Sequence, residues 1–322
     1  MTATEPTRTL NGTLSGFNQR IAVIIPCFNE ALAIKKVVDD FRAAVPEATI
    51  YVYDNISTDK TADVAQAAGA IVRNVTRQGK GHVVTRMFAD VEADIFILVD
   101  GDATYDAASA RMLVSRLLDA RLDMVVGTRV HEDEAAYRKG HKLGNWLFST
   151  FISLVFDAQF KDILSGYRVF GRRFVKSFPV LSRGFEIEVE LAVHALELGL
   201  AVEEIPTPYY PRPAGSLSKL NTWRDGIRIL FTIGNLCRAE RPLAFFSALG
   251  AVLALISVGL AIPIFATYLQ IGLVPRIPTA ILSTGLMLLA FLLIVSGLIL
   301  DTVTKGRREM KRLAYLQQPE MT

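Results

Sequence analysis

Over residues 20–130 two hydrophobic rhythms alternate along the chain. Continuous apolar runs at Ile21–Ile25, Ile50–Tyr53, Ala70–Arg73, Ile95–Val99 and Met124–Val126 read as strands. Between them apolar residues recur every three or four positions, as in Ile34, Val37, Val38, Phe41 and Val45, which is one face of a helix. Further helices are expected through Thr61–Ala68, ended by Gly69, near 81–90 and near 107–120. This succession predicts an α/β fold with a mostly parallel sheet covered on both faces. Beyond residue 130 longer helices and irregular loops take over, with one more strand near Ala201–Ile205.

Nearer the C-terminus the rhythm disappears. No charged residue occurs from Pro242 to Pro275, nor from Ile277 to Leu300. Each run exceeds the roughly 20 residues a helix needs to cross a ~30 Å hydrocarbon core. Two transmembrane helices are therefore expected, over 242–269 and 277–301, in preference to a buried core hairpin. Arg224, Arg228, Arg238 and Arg241 precede the first, Lys305, Arg307, Arg308, Lys311 and Arg312 follow the second, and only Arg276 lies between. Basic flanks stay cytoplasmic, which predicts a cytoplasmic N-terminal domain and a basic cytoplasmic tail over 302–322. Those flanks also suit anionic headgroups. Trp223, Ile227, Leu230, Phe231 and Gly234 share one helical face, so 221–240 reads as an interfacial amphipathic helix, with a core helix as the competing reading. Residues 1–20 lack an apolar signal core and are expected to be a flexible leader, leaving 21–220 as the catalytic domain.

Composition sharpens this partition. Of 322 residues 51% are hydrophobic and only 21% charged, an excess that the two apolar runs explain. The net charge of +3 gives no nucleic-acid signature. Cys27 and Cys237 lack metal-site spacing, and a cytoplasmic setting argues against a disulfide. No GxGxxG follows the first strand, and Gln78-Gly-Lys-Gly81 lacks the outer residues of a P-loop. A phosphate-bearing ligand would therefore need a metal.

The candidate chemistry lies in Ile95-Phe-Ile-Leu-Val-Asp100-Gly-Asp102-Ala-Thr-Tyr-Asp106. A buried strand there ends in two carboxylates, at the edge where open α/β sheets bind ligands. Such a pair repels unless solvated or bridged by a cation, and hard ions such as Mg²⁺ or Mn²⁺ take carboxylates together with substrate phosphates. A solvated turn is the competing reading of this segment alone. Asp106 reads equally as a helix cap or as a further ligand.

Four motifs in order make a resemblance specific. Ile24-Ile-Pro-Cys-Phe-Asn-Glu30, Tyr53-Asp-Asn-Ile-Ser-Thr-Asp59, Val99-Asp-Gly-Asp102 and Asp162-Ile-Leu-Ser-Gly-Tyr-Arg168 resemble the motifs of family 2 glycosyltransferases of the GT-A fold. With two C-terminal spans, the chain is similar to polyprenyl-phosphate glycosyltransferases of the dolichol-phosphate mannose synthase and undecaprenyl-phosphate glucosyltransferase kind. The resemblance implies an inverting, metal-dependent transfer of one sugar to undecaprenyl phosphate at the cytoplasmic face of a bacterial inner membrane. UDP-glucose is the first donor to consider, among UDP- and GDP-sugars. It places donor contacts at Pro26, Phe28, Asn29, Glu30, Asp54, Lys80, Asp100 and Gly101, and the metal on Asp100 and Asp102. Lys80 also reads as an ordinary exposed lysine.

The resemblance places acceptor-phosphate contacts at Arg129, Arg138, Lys142, Ser165 and Arg168, with Asp162 orienting Arg168. Asp102, Arg129 and Arg138 would carry catalysis. The segment Arg212–Leu220 has one residue more than the family loop, with Arg212, Ser218 and Lys219 as diphosphate clamps. Asn55 and Ile56 replace the family's aspartate and glycine, and Thr104 stands where relatives often carry Gln. Glu186, Glu188 and Glu190 are expected to spread around a helix, most of them solvated, with one facing the sugar as the alternative. A homo-oligomer also fits the resemblance. Transfer to an alcohol-bearing membrane lipid and a silent nucleotide-sugar-binding tether are the competing functions; the missing Q-x-x-R-W disfavours a processive synthase.

Overall fold

The computed structural model describes residues 19–131, 160–179, 187–213 and 234–319. Its centre is a seven-stranded sheet: β1 (Ile21–Cys27), β2 (Thr49–Asp54), β3 (Ile71–Asn74), β4 (Ile95–Leu98), β5 (Met124–His131), β6 (Arg168–Gly171) and β7 (Val202–Tyr209). The order across it is β3-β2-β1-β4-β6-β5-β7. β1 pairs in parallel with β2 and β4, β2 with β3, and β5 with β7, while β6 runs antiparallel to β4 and β5. The expected mostly parallel sheet is present, made mixed by the antiparallel β6.

Sheet coverage explains the apolar runs. Side chains alternate between the faces of a strand. Val23 and Ile25 of β1 join the core formed with α1 (Ile34–Ala44), α2 (Thr61–Ala67) and α4 (Ser109–Asp119). Ala22 and Ile24 join the opposite core, built with α3 (Lys80–Asp90), α5 (Arg172–Ser177) and α6 (Ile187–Leu198). With helices on both sides neither face can be polar, which is why these strands read as unbroken apolar segments.

Strand β6 escapes that reading. Its four residues begin with Arg168, a charged residue that is 0% exposed. A buried arginine breaks the hydrophobic signature, and only its tertiary partners make the position tolerable.

Two helices, α7 (Pro242–Ile271) and α8 (Ile277–Leu316), are long and apolar enough to cross a membrane. Only 11% of either apolar window is buried, so a soluble core hairpin does not describe them. They pack closely where side chains are small. A Cβ on Gly250 would lie 2.9 Å from the Ala290 carbonyl oxygen, and Ser257 and Ser283 donate to each other's carbonyls at 2.7 and 2.9 Å. Helix α8 does not stop near residue 301. Its 40 residues span about 60 Å, twice a hydrocarbon core. The expected tail is thus, over much of its length, a continuation of the second apolar helix.

Candidate active site

The carboxyl ends of β1, β2 and β4 form a cleft edge. Register pairs Pro26 with Tyr53 and Cys27 with Asp54, bringing the first two motifs side by side. The second motif mainly fastens the first. Asn29 N donates to Ser57 Oγ at 2.9 Å, Thr58 N to Asn29 Oδ1 at 2.7 Å, and Ala31 N to Asp59 Oδ2 at 3.1 Å. Glu30 is buried with its N–H on Thr61 Oγ1 at 2.9 Å. Asp54 accepts from Ser57 N through Oδ2 at 3.0 Å, and its buried Oδ1 has no hydrogen-bond partner among the described residues. An orphaned buried oxygen at a sheet edge suits a ligand donor.

One of the two departures from the family pattern has a structural reason. Asn55 donates its amide to the Val75 and Arg77 carbonyls at 3.2 and 2.7 Å and accepts from Gly79 N at 2.7 Å. A carboxylate could not donate those two bonds. Ile56 retains a left-handed backbone at φ 63°, a strained geometry for a β-branched residue.

Asn55 thereby positions the loop that delivers Lys80. The Lys80 ammonium lies 2.5 Å from Asp100 Oδ1 and 2.5 Å from Glu188 Oε1. Burial opposes its charge, but the two carboxylates outweigh burial and hold its pKa above the ordinary lysine value. The reading of Lys80 as an exposed lysine fails. Glu188 is likewise buried, the one of the three glutamates that turns inward among the described residues, and its Oε2 has no hydrogen-bond partner among them. The alternation of acidic residues concealed this, since the burying partner comes from a distant α3.

Asp102 occupies a similar arrangement on the other side. Thr104 donates its N–H at 3.2 Å and its hydroxyl at 2.6 Å to Asp102 Oδ1, and Arg212 Nη2 lies 2.6 Å from Oδ2. Arg212 Nη1 is also 3.6 Å from Glu30 Oε1. The end of β7 brings Arg212 there, with Tyr210 N bonded to the Thr104 carbonyl at 2.8 Å. Burial and then the Asp100 charge raise the Asp102 pKa, against Arg212 and Thr104. Asp106 does not join this set: its Oδ2 caps α4, accepting from Ser109 N at 2.9 Å and Ser109 Oγ at 2.7 Å.

Gly101 and Gly166 are where close approach demands glycine. A Cβ on Gly101 would stand 2.5 Å from Cys27 Sγ, and one on Gly166 would stand 2.5 Å from Asp100 Oδ2. Cys27 packs beneath the acidic pair, its thiol pushed up by burial and then by Glu30 and the neighbouring aspartates.

The later block supports the site from behind. Asp162 takes Arg129 Nε at 2.8 Å and Nη2 at 2.7 Å, a bidentate pair that leaves Nη1 outside it. Burial opposes the Arg129 charge, but Tyr105 and Asp162 outweigh it. Ser165 is 0% exposed and donates to the Gly127 carbonyl at 2.6 Å. Arg168 donates to the Ser165 and Ile163 carbonyls at 3.0 and 2.6 Å, and burial lowers its pKa to about 10. The expectation that Ser165 and Arg168 contact an acceptor phosphate is corrected: both are enclosed and bonded to main chain. Asp162, expected to orient Arg168, instead takes Arg129. Arg138, Lys142, Ser218 and Lys219, with Glu186 and residues 221–233 of the expected interfacial helix, lie outside the described residues.

The donor set fits a hard dication. Two carboxylates stand two residues apart at a strand end, and each offers oxygen atoms of the kind hard ions take. Among the described residues no group of three or more His, Cys, Asp or Glu forms a metal site.

Comparison with known proteins agrees with this geometry. Residues 22–178 match the sequence family "Glycosyl transferase family 2". The chain is 31% identical over 300 residues to glycosyltransferase AglJ of Haloferax volcanii, covering 92% of this chain and 98% of that protein. It is 26% identical over 210 residues to undecaprenyl-phosphate mannosyltransferase of Micrococcus luteus, covering 61% of this chain and 86% of that one. Glucosyl-3-phosphoglycerate synthase of Mycobacterium tuberculosis, solved with Mn²⁺, UDP and phosphoglyceric acid, superposes with a TM-score of 0.57 at 22% identity. That superposition covers 68% of this chain and 78% of the other, and it establishes the shared fold.

Proposed function

The chain belongs to glycosyl transferase family 2, as a glycosyltransferase of the polyprenyl-phosphate type, and from that premise we propose a specific reaction. It moves one hexose, with inversion, from a nucleotide sugar to undecaprenyl phosphate at the cytoplasmic face of a bacterial inner membrane. UDP-glucose is the first donor to test. The observation that carries this reading is the double bridge of Lys80 on Asp100 and Arg212 on Asp102. Two cations from distant segments meet an acidic pair, the charge pattern a nucleotide diphosphate with a divalent ion would match.

In this reading Asp100 and Asp102 hold Mg²⁺ or Mn²⁺, which when bound supplies Lewis-acid stabilisation of the departing diphosphate charge. Pro26, Phe28, Asn29, Glu30 and Asp54 line the nucleoside side, with the unpartnered Asp54 Oδ1 as an acceptor for ribose or base. Lys80 and Arg212 meet the diphosphate, and Glu188 retains Lys80 as it does so. The Arg129 guanidinium, oriented by Asp162, receives the acceptor phosphate through the edge outside that pair. An ionised phosphate needs no base to activate it, so alignment and charge neutralisation carry the step. Arg138 and Lys142 are the further acceptor-phosphate contacts of this proposal, and Ser218 and Lys219 its diphosphate clamps. The membrane helices, and an interfacial helix over 221–240, keep the cleft near headgroup depth.

The test is to incubate purified protein in vesicles with undecaprenyl phosphate, Mg²⁺ or Mn²⁺ and a panel of UDP- and GDP-sugars, and to weigh the lipid product. A mass increase of one hexose is expected. Asp102→Asn should remove transfer while the protein remains folded and inserted; full activity in that variant refutes the metal assignment.

A further inference from the structure

The stretch of α8 beyond its apolar segment is fastened to the rest of the chain. Lys311 Nζ lies 2.6 Å and Arg308 Nε 3.4 Å from Glu197, whose side chain on α6 is 0% exposed. Arg307 Nη2 lies 2.7 Å and Arg308 Nη2 3.6 Å from Glu240, in the helical segment over 234–240 that leads into α7. Main-chain bonds tighten the same point: Arg308 Nη2 donates to the Glu240 carbonyl at 2.6 Å, and Arg307 Nη2 and Thr304 Oγ1 to the Ala239 carbonyl at 3.0 and 3.2 Å. Further along, Tyr315 donates to Asp123 Oδ1 at 2.6 Å, and Arg173 Nε to the Gln318 carbonyl at 2.8 Å.

Three basic residues that the sequence assigns to lipid headgroups are therefore used inside the molecule. Lys305 and Arg312 are the ones left exposed. Arg308 reaches both Glu197 and Glu240, so the two carboxyls and three cations form one partly buried junction. It joins three elements: α6 from the catalytic domain, the entry to α7 and the exit of α8. A surface ion pair contributes little, but enclosed charges separated from their partners are strongly unfavourable.

We propose that this junction is an orienting clamp, with Glu197, Glu240, Arg307, Arg308 and Lys311 as positioning residues that fix the height and tilt of the catalytic cleft over the bilayer. It rests on the proposed transfer to a membrane-held phosphate. Such a phosphate cannot follow a reoriented cleft, whereas a water-soluble acceptor can.

Full-length protein in nanodiscs carrying undecaprenyl phosphate is compared with the same protein given a short water-soluble isoprenyl phosphate. Glu197→Gln and Lys311→Met are expected to lower transfer to the embedded lipid by about tenfold or more. Transfer to the soluble acceptor and the donor KM should stay within about twofold of wild type. Glu197→Asp should recover the embedded-lipid rate. Equal losses on both acceptors, or no loss on either, overturn the clamp. A second measurement does not depend on catalysis. Spin labels at Met112→Cys on α4 and Leu255→Cys on α7, in a Cys237→Ser background, report the distance between catalytic domain and membrane helix. One narrow distribution is expected for wild type and a broad one for Glu197→Gln. An equally narrow distribution in the variant overturns the clamp. Absence of transfer by wild type to either acceptor refutes the reaction instead and leaves the distance measurement decisive for the clamp.

Discussion

Replacing Gly166 by alanine separates positioning of the acidic pair from stability of the fold. The new Cβ would lie 2.5 Å from Asp100 Oδ2, 3.0 Å from Cγ and 3.2 Å from Oδ1. Rotation of the carboxylate plane cannot clear a contact that includes Cγ, so the whole group must withdraw. Ordinary contact begins near 3.5 Å, which sets the retreat at about 1 Å. The Asp100 side chain is 29% exposed and has room to yield, so overpacking should cost no more than about 1–3 kcal/mol. If Asp100 holds the metal as proposed, the same displacement is worth on the order of 10²-fold in rate. The assay pairs thermal unfolding with transfer to undecaprenyl phosphate and with Mn²⁺ binding in the presence of UDP. A small shift in melting, weakened Mn²⁺ binding and a hundredfold slower transfer are expected. Wild-type Mn²⁺ affinity and rate in a folded Gly166→Ala protein would refute the reasoning.

Glu188→Gln removes the carboxylate charge that retains Lys80 while keeping the shape; donor KM should rise about tenfold or more, measured with UDP-glucose at saturating acceptor. Asn55→Asp deletes both donors to the Val75 and Arg77 carbonyls, so a loss of about 1–3 kcal/mol is expected in denaturant unfolding, with weaker donor binding because the Lys80 loop loosens. The pH dependence of the junction has a definite sign. Burial, followed by the Glu197 carboxylate, pushes Glu240 up to about 7 from 4.5, so its stabilisation is complete below about pH 4.5 and is lost as pH rises through 7. His194, lowered by burial from 6.5 to about 4, acts oppositely, its contribution being lost as pH falls from 6.5 towards 4. Thermal unfolding between pH 6 and 8 should therefore show a falling limb in wild type that Glu240→Gln flattens.

The sequence by itself determined the strands and helices up to about residue 130, the strand near residue 201, the acidic pair at a strand end and the two apolar helices. These are local properties: periodicity reports which faces are covered, and an uncharged run of sufficient length reports its solvent. Tertiary structure decided which polar residues serve the site. Lys80 and Glu188 meet across 108 positions of sequence, and no spacing rule announces that contact. Ser165 and Arg168 share a motif with Gly166, yet only the glycine touches Asp100 while the other two bind main chain. Arg307, Arg308 and Lys311 look alike in sequence to the exposed Lys305 and Arg312, and packing against Glu197 and Glu240 separates them. A charged side chain takes its role from its degree of burial and from the charges that share its enclosure. Both are set by segments far apart in the chain, so they exist only once the chain has folded.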